Sequence, residues 1–142
     1  MNKDLKLNGK GIVLLAMLIV FSCKKSSDYV PTVAVNTLLY TSDPLFAPLN
    51  SVSGYTYLSG GVEGILVYRK SQTEFMAYDR CCTYKVSDRN IITVDASGLI
   101  AADAVCGSKF LITDGSVNHG PAANLLKIYQ TSFDGQALHI FN

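Results

Sequence analysis

Three cysteines in two segments are the side chains of this chain best suited to metal binding or redox chemistry. Cys81 and Cys82 lie side by side in the first segment, and Cys106 lies in the second, three residues after Asp103. Thiolates and carboxylates bind metal ions, and two thiols can instead form a disulfide or stay free as small apolar side chains. The residue types therefore leave three states open for these thiols: a bound metal or cluster, a disulfide, and free thiols.

Other arrangements that support catalysis are scarce. The two histidines, His119 and His139, lie outside both cysteine segments, and a lone histidine in a terminal strand is more often packed or solvated than a metal ligand. No G-x-S-x-G nucleophile motif occurs, and the glycines at 60, 61 and 64 lack the lysine and the strand-to-helix context of a phosphate loop. The formal net charge of +1 argues against a nucleic-acid partner, which requires a basic surface. No enzyme activity is predicted.

Residues 1–22 predict an export signal. Lys3, Lys6 and Lys10 precede an unbroken apolar run of ten residues, Ile12 to Phe21. Ten helical residues rise only about 15 Å, half of the roughly 30 Å hydrocarbon core of a bilayer. The segment is therefore typical of a signal peptide rather than of a permanent transmembrane helix.

The end of the apolar run resembles the lipobox of bacterial lipoproteins. In that motif a small residue, here Ser22, precedes a cysteine that receives diacylglycerol and becomes the new N-terminus; Cys23 stands at that position. The resemblance implies an exported chain that is anchored through lipid at Cys23 to an envelope membrane, outer or inner, on its periplasmic or surface face. Residues 23–31 then form the lipidated cysteine and a tether. The alternative is a plain signal peptide or interfacial anchor with an incidental cysteine.

Residues 32–142 predict a single all-β domain. Short β-branched and aromatic runs alternate with turns rich in Gly, Asp, Asn and Ser, and the only helical signal is one turn over 43–49, with Asp43 as its N-cap and Pro44 in its first position. About eight or nine such strands indicate an antiparallel β-sandwich or small barrel. The predicted strands are Thr32–Leu39, Gly54–Leu58, Gly64–Lys70, Glu74–Asp79, Ile91–Val94, Leu99–Ala102, Lys109–Thr113, Lys127–Thr131 and Ala137–Phe141.

The two cysteine segments resemble the ligand loops of the Rieske [2Fe–2S] domain. That family has a first loop C-x-H and a second loop C-x-x-H-G-S-x-F, followed by an acid-Gly turn and G-P-A. Here the matching residues are Cys82 in the first loop, and Gly107, Ser108, Phe110, Gly115, Gly120, Pro121 and Ala122 in and after the second. The resemblance covers roughly residues 33–142 and implies a Rieske-like β fold with both loops at one site.

Most of the cluster ligands of that family are replaced in this chain. The four ligand positions hold Cys82, Tyr84, Asp103 and Cys106, where the family has Cys, His, Cys and His. A Rieske centre needs two imidazoles on one iron, so no cofactor is expected. The alternative is an altered [2Fe–2S] cluster or another metal, with Cys82, Cys106, Cys81 and Asp103 as candidate ligands.

The resemblance also implies a pairing for the thiols, because it brings the two loops together. In an oxidising compartment, Cys106 is expected to form a disulfide with Cys82 or Cys81, and Tyr84 to fill part of the space of the missing cluster. The sequence thus predicts a non-catalytic binding or interaction module that is anchored in the cell envelope. An envelope protein is a candidate binding partner. The alternative is an electron-transfer protein of the Rieske ferredoxin type, with an altered [2Fe–2S] or thiol redox site.

Overall fold

The computed structural model describes residues 29–142, so the predicted signal peptide and Cys23 lie outside the described residues. No helix within 29–142 is long and apolar enough to cross a membrane. These residues form ten strands in two antiparallel sheets, which confirms the all-β prediction. The strands are β1 (Asn36–Tyr40), β2 (Tyr55–Leu58), β3 (Ile65–Arg69), β4 (Phe75–Asp79), β5 (Thr93–Val94), β6 (Ile100–Ala102), β7 (Lys109–Leu111), β8 (Val117–His119), β9 (Ile128–Phe133) and β10 (Ala137–Phe141).

The larger sheet has six strands in the order β1-β10-β9-β4-β3-β2, and the smaller has four in the order β5-β6-β7-β8. Every residue of β3 is buried, because the two faces of the strand pack into different cores. Ile65 and Val67 contribute to a first core beneath β1 and β10, whereas Leu66 and Tyr68 contribute to a second core shared with the smaller sheet. The alternation of side chains along a strand produces this division.

The alternation of apolar and polar residues over Glu74–Asp79 predicts a half-buried strand, whereas β4 is buried on both faces. Phe75 and Ala77 belong to the first core, and Tyr78 on the opposite face belongs to the second. The smaller sheet covers the second face of the strand, which in a half-buried strand would meet solvent. As a result, only Met76 in this strand is not fully buried.

The short helical signal at Asp43 is confirmed. A 3₁₀ helix spans Pro44–Asn50, and Asp43 Oδ1 accepts the backbone N–H of Leu45 at 2.9 Å. A second 3₁₀ helix at Val86–Asp88 and the strand β8 were not predicted. Both are short and lack buried residues, so they leave no apolar pattern in the sequence.

The two cysteine segments are loops at one end of the smaller sheet. The first follows β4 and is held by a hydrogen bond from the backbone N–H of Cys82 to the carbonyl of Asn90 at 2.8 Å. The second connects β6 to β7, and the backbone N–H of Asp103 donates across it to the carbonyl of Ser108 at 2.9 Å. Both loops therefore leave strands that are paired within a sheet. This pairing fixes the backbone at the start of each loop and so the direction of the cysteine side chains.

Candidate functional site

The two loops bring two thiols and one carboxylate together. One ligand atom each from Cys82, Asp103 and Cys106 lies within 4.8 Å of the others. The two sulfurs are 3.7 Å apart, and the Cys106 sulfur is 3.0 Å from Asp103 Oδ2. Cys82 and Asp103 are buried, and Cys106 is half-buried. These three residues are called the thiol–carboxylate cluster below.

Asp103 organises the second loop around its carboxylate. Its Oδ1 accepts the backbone N–H groups of Val105 at 2.8 Å and of Cys106 at 3.2 Å. Burial alone would raise the pKa of this carboxyl, but hydrogen bonds from the Cys106 and Cys82 thiols, and then from these two backbone groups, hold it below its ordinary value. Asp103 is therefore an anion at neutral pH, with both thiols donating to it.

Ser108 connects the Cys106 sulfur to the Gly-Pro-Ala segment. The backbone N–H of Ser108 donates to the sulfur at 3.4 Å, and the Ser108 hydroxyl lies 3.1 Å from it. The hydroxyl oxygen also accepts the backbone N–H of Ala122 at 3.0 Å. Ser108 is fully buried, so these contacts explain why a serine stands between Gly107 and Lys109.

Cys82 lies in the second core, and its thiol is neutral at neutral pH. Burial is the main cause that raises its pKa well above the ordinary value. The backbone N–H of Tyr84 acts in the opposite direction, and the hydrogen bonds of the thiol with Asp103 and Cys106 raise the pKa further. Tyr84 itself packs against this core, as does Cys106.

Cys81 is separated from the thiol–carboxylate cluster although it is adjacent to Cys82 in sequence. Its sulfur approaches the carbonyl of Cys82 at 3.7 Å, and its backbone N–H donates to Asp79 Oδ1 at 2.8 Å. Burial, followed by the charges of Asp79 and Glu63, raises the pKa of the Cys81 thiol to about 11. Successive side chains of extended backbone point in opposite directions, which accounts for the separation.

The residues present do not fit a conventional Rieske centre. His119 is exposed in β8, and His139 in β10 bonds to Asn36 Oδ1 at 2.6 Å, so neither imidazole in the described chain belongs to the cluster. Two thiols and one carboxylate remain, whereas the centre requires two thiolates and two imidazoles. The described cysteines are also unbonded to one another, since 3.7 Å exceeds the roughly 2.05 Å of a disulfide.

A groove of about 630 Å³ lies beside the first loop and was not predicted from the sequence. Thr83, whose hydroxyl donates to the carbonyl of Asn124 at 2.6 Å, joins the loop to one wall of this groove. The groove is lined by residues 123–128 together with Tyr29, Val30, Thr32 and Thr83. Because these segments are distant in sequence, no local pattern could have indicated the groove.

No family model and no curated protein sequence matches this chain. Among solved structures, it is similar to the plasma membrane Rieske protein PetC3 from the cyanobacterium Synechocystis PCC 6803, with a TM-score of 0.55 and 21% identity over 77% of this chain and 98% of that chain. The fold is Rieske-like. This agrees with the fold that the loop motifs implied, and it says nothing about the ligands in this chain.

Two further similarities are weaker. A structure of the complex of reduced oxygenase and oxidized ferredoxin in carbazole 1,9a-dioxygenase gives a TM-score of 0.47 and 17% identity over 64% of this chain and 82% of that chain. The NirD protein of E. coli gives a TM-score of 0.44 and 14% identity over 76% of this chain and 98% of that chain. No argument rests on either.

Proposed function

We propose that this protein is an exported, lipid-anchored binding module of the cell envelope, whose Rieske-like domain works without a conventional [2Fe–2S] cluster. One observation carries the proposal. Where the two loops meet, the described residues bring together Cys82, Asp103 and Cys106, and no imidazole. Tyr84, which the loop resemblance aligns with a histidine ligand of the family, packs against the second core. The lipobox-like sequence at Cys23 supports the anchor.

The hydrogen bonds of the second loop support a domain that folds without a cluster. In many metal domains the metal supplies much of the folding energy of its loops. Here the Asp103 carboxylate accepts two backbone N–H groups of its own loop, and the Ser108 hydroxyl oxygen accepts the backbone N–H of Ala122. The chain itself thus supplies the contacts that a cluster would otherwise have to provide.

The cofactor part of the proposal is tested by iron and acid-labile sulfide analysis. Full-length protein is purified anaerobically in detergent, and its visible absorption spectrum is recorded. We expect a colourless protein with far less than one iron per chain. About two irons and two sulfides per chain, with a visible spectrum, would overturn the proposal in favour of electron transfer.

The anchor is tested separately by membrane fractionation. Cys23→Ala removes the residue that would carry the lipid. It should move the protein from the membrane to the soluble fraction, because stable anchoring needs two or more acyl chains. Cys81→Ala, which removes a different cysteine, should leave the protein in the membrane. Unchanged membrane association of Cys23→Ala, or an intact-mass measurement without lipid at Cys23, would contradict the anchor.

A thiol redox site is the second candidate, and the 3.7 Å between the sulfurs of Cys82 and Cys106 favours it. Disulfide formation would bring these sulfurs to about 2.05 Å, release two protons and pass two electrons to an oxidant of the envelope. Peptide mapping of the exported protein without reduction should then recover Cys82 linked to Cys106. Recovery of both as free thiols would contradict this candidate.

A further inference from the structure

The spacing of the thiol–carboxylate cluster matches a single tetrahedral metal ion. Zinc–sulfur bonds of about 2.3 Å at a tetrahedral angle place two sulfurs about 3.8 Å apart. The sulfurs of Cys82 and Cys106 are 3.7 Å apart, so this pair is already at the required distance. No backbone movement is needed to bring them together.

Asp103 is placed to supply the third ligand. Its Oδ2 lies 3.0 Å from the Cys106 sulfur, which is a hydrogen-bond distance. A tetrahedral ion with a Zn–O bond of about 2.1 Å would place this oxygen about 3.6 Å from each sulfur. Loss of the thiol proton removes the hydrogen bond, and rotation of the Asp103 carboxylate would then increase the O–S distance by the remaining ~0.6 Å.

We propose that Cys82, Cys106 and Asp103 form a mononuclear site for a thiophilic divalent cation of the zinc class, with its fourth position open. Two thiolates select a borderline or soft ion over Mg²⁺ and Ca²⁺, which prefer oxygen ligands. The site goes beyond the binding role proposed above, and it does not depend on the lipid anchor.

The contacts around the ligands suit two bound thiolates. The sulfur of Cys82 accepts the backbone N–H of Tyr84, and that of Cys106 accepts the backbone N–H of Ser108. The Ser108 hydroxyl accepts from Ala122 N–H, so its own proton is available for the Cys106 sulfur once that sulfur is ionised. Such outer hydrogen bonds orient metal ligands and tune their basicity.

The charges balance without a redox partner. A divalent cation replaces one proton on each thiol and binds the Asp103 carboxylate as it stands, so that two protons are released and the site carries a net charge of −1. Cys106 is the half-buried member of the cluster, and the ion would enter from its side. Three protein ligands with an open position are typical of zinc sites that bind water or a donor from another molecule.

The test is a cobalt titration of full-length protein in detergent, reduced and freed of metal by chelation. We expect one Co²⁺ per chain, with sulfur-to-cobalt charge-transfer absorption and the intense visible bands of a tetrahedral site, and we expect Zn²⁺ to displace it. Protein whose Cys82–Cys106 pair has been oxidised to a disulfide should not bind. Absence of sulfur-to-cobalt absorption in the reduced protein would overturn the proposal.

Variants assign the ligands. Cys106→Ser and Asp103→Asn should each lower Co²⁺ affinity by more than the roughly 10–100-fold that loss of an outer hydrogen bond costs. Cys81→Ser is the matched control, because it alters an adjacent buried thiol outside the cluster, and it should change affinity by less than about threefold. Equal losses in Cys81→Ser and Cys106→Ser, or unchanged binding by Asp103→Asn, would overturn the site.

Circular dichroism checks that each variant folds. Because Cys106 is only half-buried, Cys106→Ser is the variant best able to fold, and its Co²⁺ affinity tests the site even if the other variants do not fold. Iron and sulfide analysis reports separately on the proposed function. A protein that shows no sulfur-to-cobalt absorption and contains no iron would overturn the metal site but not the proposed function without a [2Fe–2S] cluster.

Discussion

Asp79 is a fully buried carboxyl group that accepts hydrogen bonds from four groups. Its two oxygens accept the backbone N–H groups of Val62 at 2.6 Å, Glu63 at 3.3 Å and Cys81 at 2.8 Å. The fourth donor is the Tyr129 hydroxyl at 2.6 Å. A buried polar group is tolerated only when it is hydrogen-bonded, so these bonds connect the turn before β3 and the start of the first cysteine loop to β9.

Tyr129 makes the stability of the domain sensitive to alkaline pH. Burial, followed by the hydrogen bond to Asp79 and its charge, raises the pKa of this hydroxyl well above the ordinary value of 10.0. The stabilising effect of a raised pKa is fully present below pH 10.0 and is lost as pH rises through the folded-state pKa. Tyr78, whose pKa burial also raises, contributes in the same direction.

Tyr129→Phe is expected to have two effects on the free energy of unfolding. At pH 7 it should lower stability by about 1–3 kcal/mol, because Asp79 loses one donor but keeps three. Above pH 10 the decline of stability with pH should be shallower than in the wild type, since one titrating group is gone. Urea unfolding from pH 7 to 11 measures both, with Tyr40→Phe, at an exposed tyrosine, as the control. An unchanged pH slope would contradict this account of Tyr129.

The turn between β2 and β3 is expected to tolerate no side chain at Gly61. Its φ of +64° already disfavours other residues, and a Cβ there would lie 2.5 Å from Asp79 Oδ2 and 2.6 Å from the Tyr129 hydroxyl. Gly98 has a similar φ of +71° with nothing within 4 Å of a Cβ. Gly98→Ala should therefore cost only the backbone strain, about 1–2 kcal/mol. Gly61→Ala should cost clearly more in urea unfolding, and equal losses would refute the steric argument.

The strands that the sequence predicted correctly are those whose pattern is local. β2, β3, β9 and β10 alternate or run apolar between turn residues, so each strand was indicated by its own segment of the sequence. β8 could not be found in this way, because Val117–His119 contributes no buried residue and is positioned by its pairing with β7. The burial of both faces of β4 likewise depends on the second sheet, which no pattern within residues 74–79 encodes.

For the candidate site as well, the sequence predicted the features that depend on local motifs and missed those that depend on tertiary contacts. The loop motifs indicate Cys82, Asp103 and Cys106 from the sequence alone, because the resemblance fixes their positions relative to Gly107 and Ser108. The exclusion of Cys81 from the group follows from the direction of its side chain. The link from Ser108 to Ala122 spans fourteen residues and depends on how the loops fold together. Contacts of that kind are tertiary, so sequence spacing alone could not predict them.

At the scale of the whole molecule, the two cores give the two ends of the domain different roles. The first core lies between the six-stranded sheet and the 3₁₀ helix at Pro44–Asn50, with Leu49 fully buried in it. The second core joins the two sheets and includes Cys82, with Cys106 and Tyr84 packed against it. The thiol–carboxylate cluster is therefore continuous with a hydrophobic core. Changes at its three residues will therefore affect the stability of the domain as well as the cluster itself.

Restoring the family's ligands tests whether the loops are arranged as in a Rieske domain. The variant carries Tyr84→His, Asp103→Cys and Cys106→His, and it keeps Cys82. Without a cluster it should be less stable than the wild type by about 1–3 kcal/mol, because the backbone N–H groups that Asp103 accepted lose their partner. Reconstitution with iron and sulfide should restore stability, since a metal centre that binds only the folded chain contributes its binding energy to folding.

We expect about two irons and two sulfides per chain in this variant, with the absorption and electron paramagnetic resonance signals of a cluster held by two thiolates and two imidazoles. The matched control adds Cys82→Ser to the same three changes, and it should take up no cluster, because one iron then lacks a thiolate. A folded triple variant that binds neither iron nor sulfide would show that these four positions do not converge as the Rieske-like fold requires. Cluster uptake would establish that these four positions converge on one site, and it would not by itself assign a redox role to the natural chain.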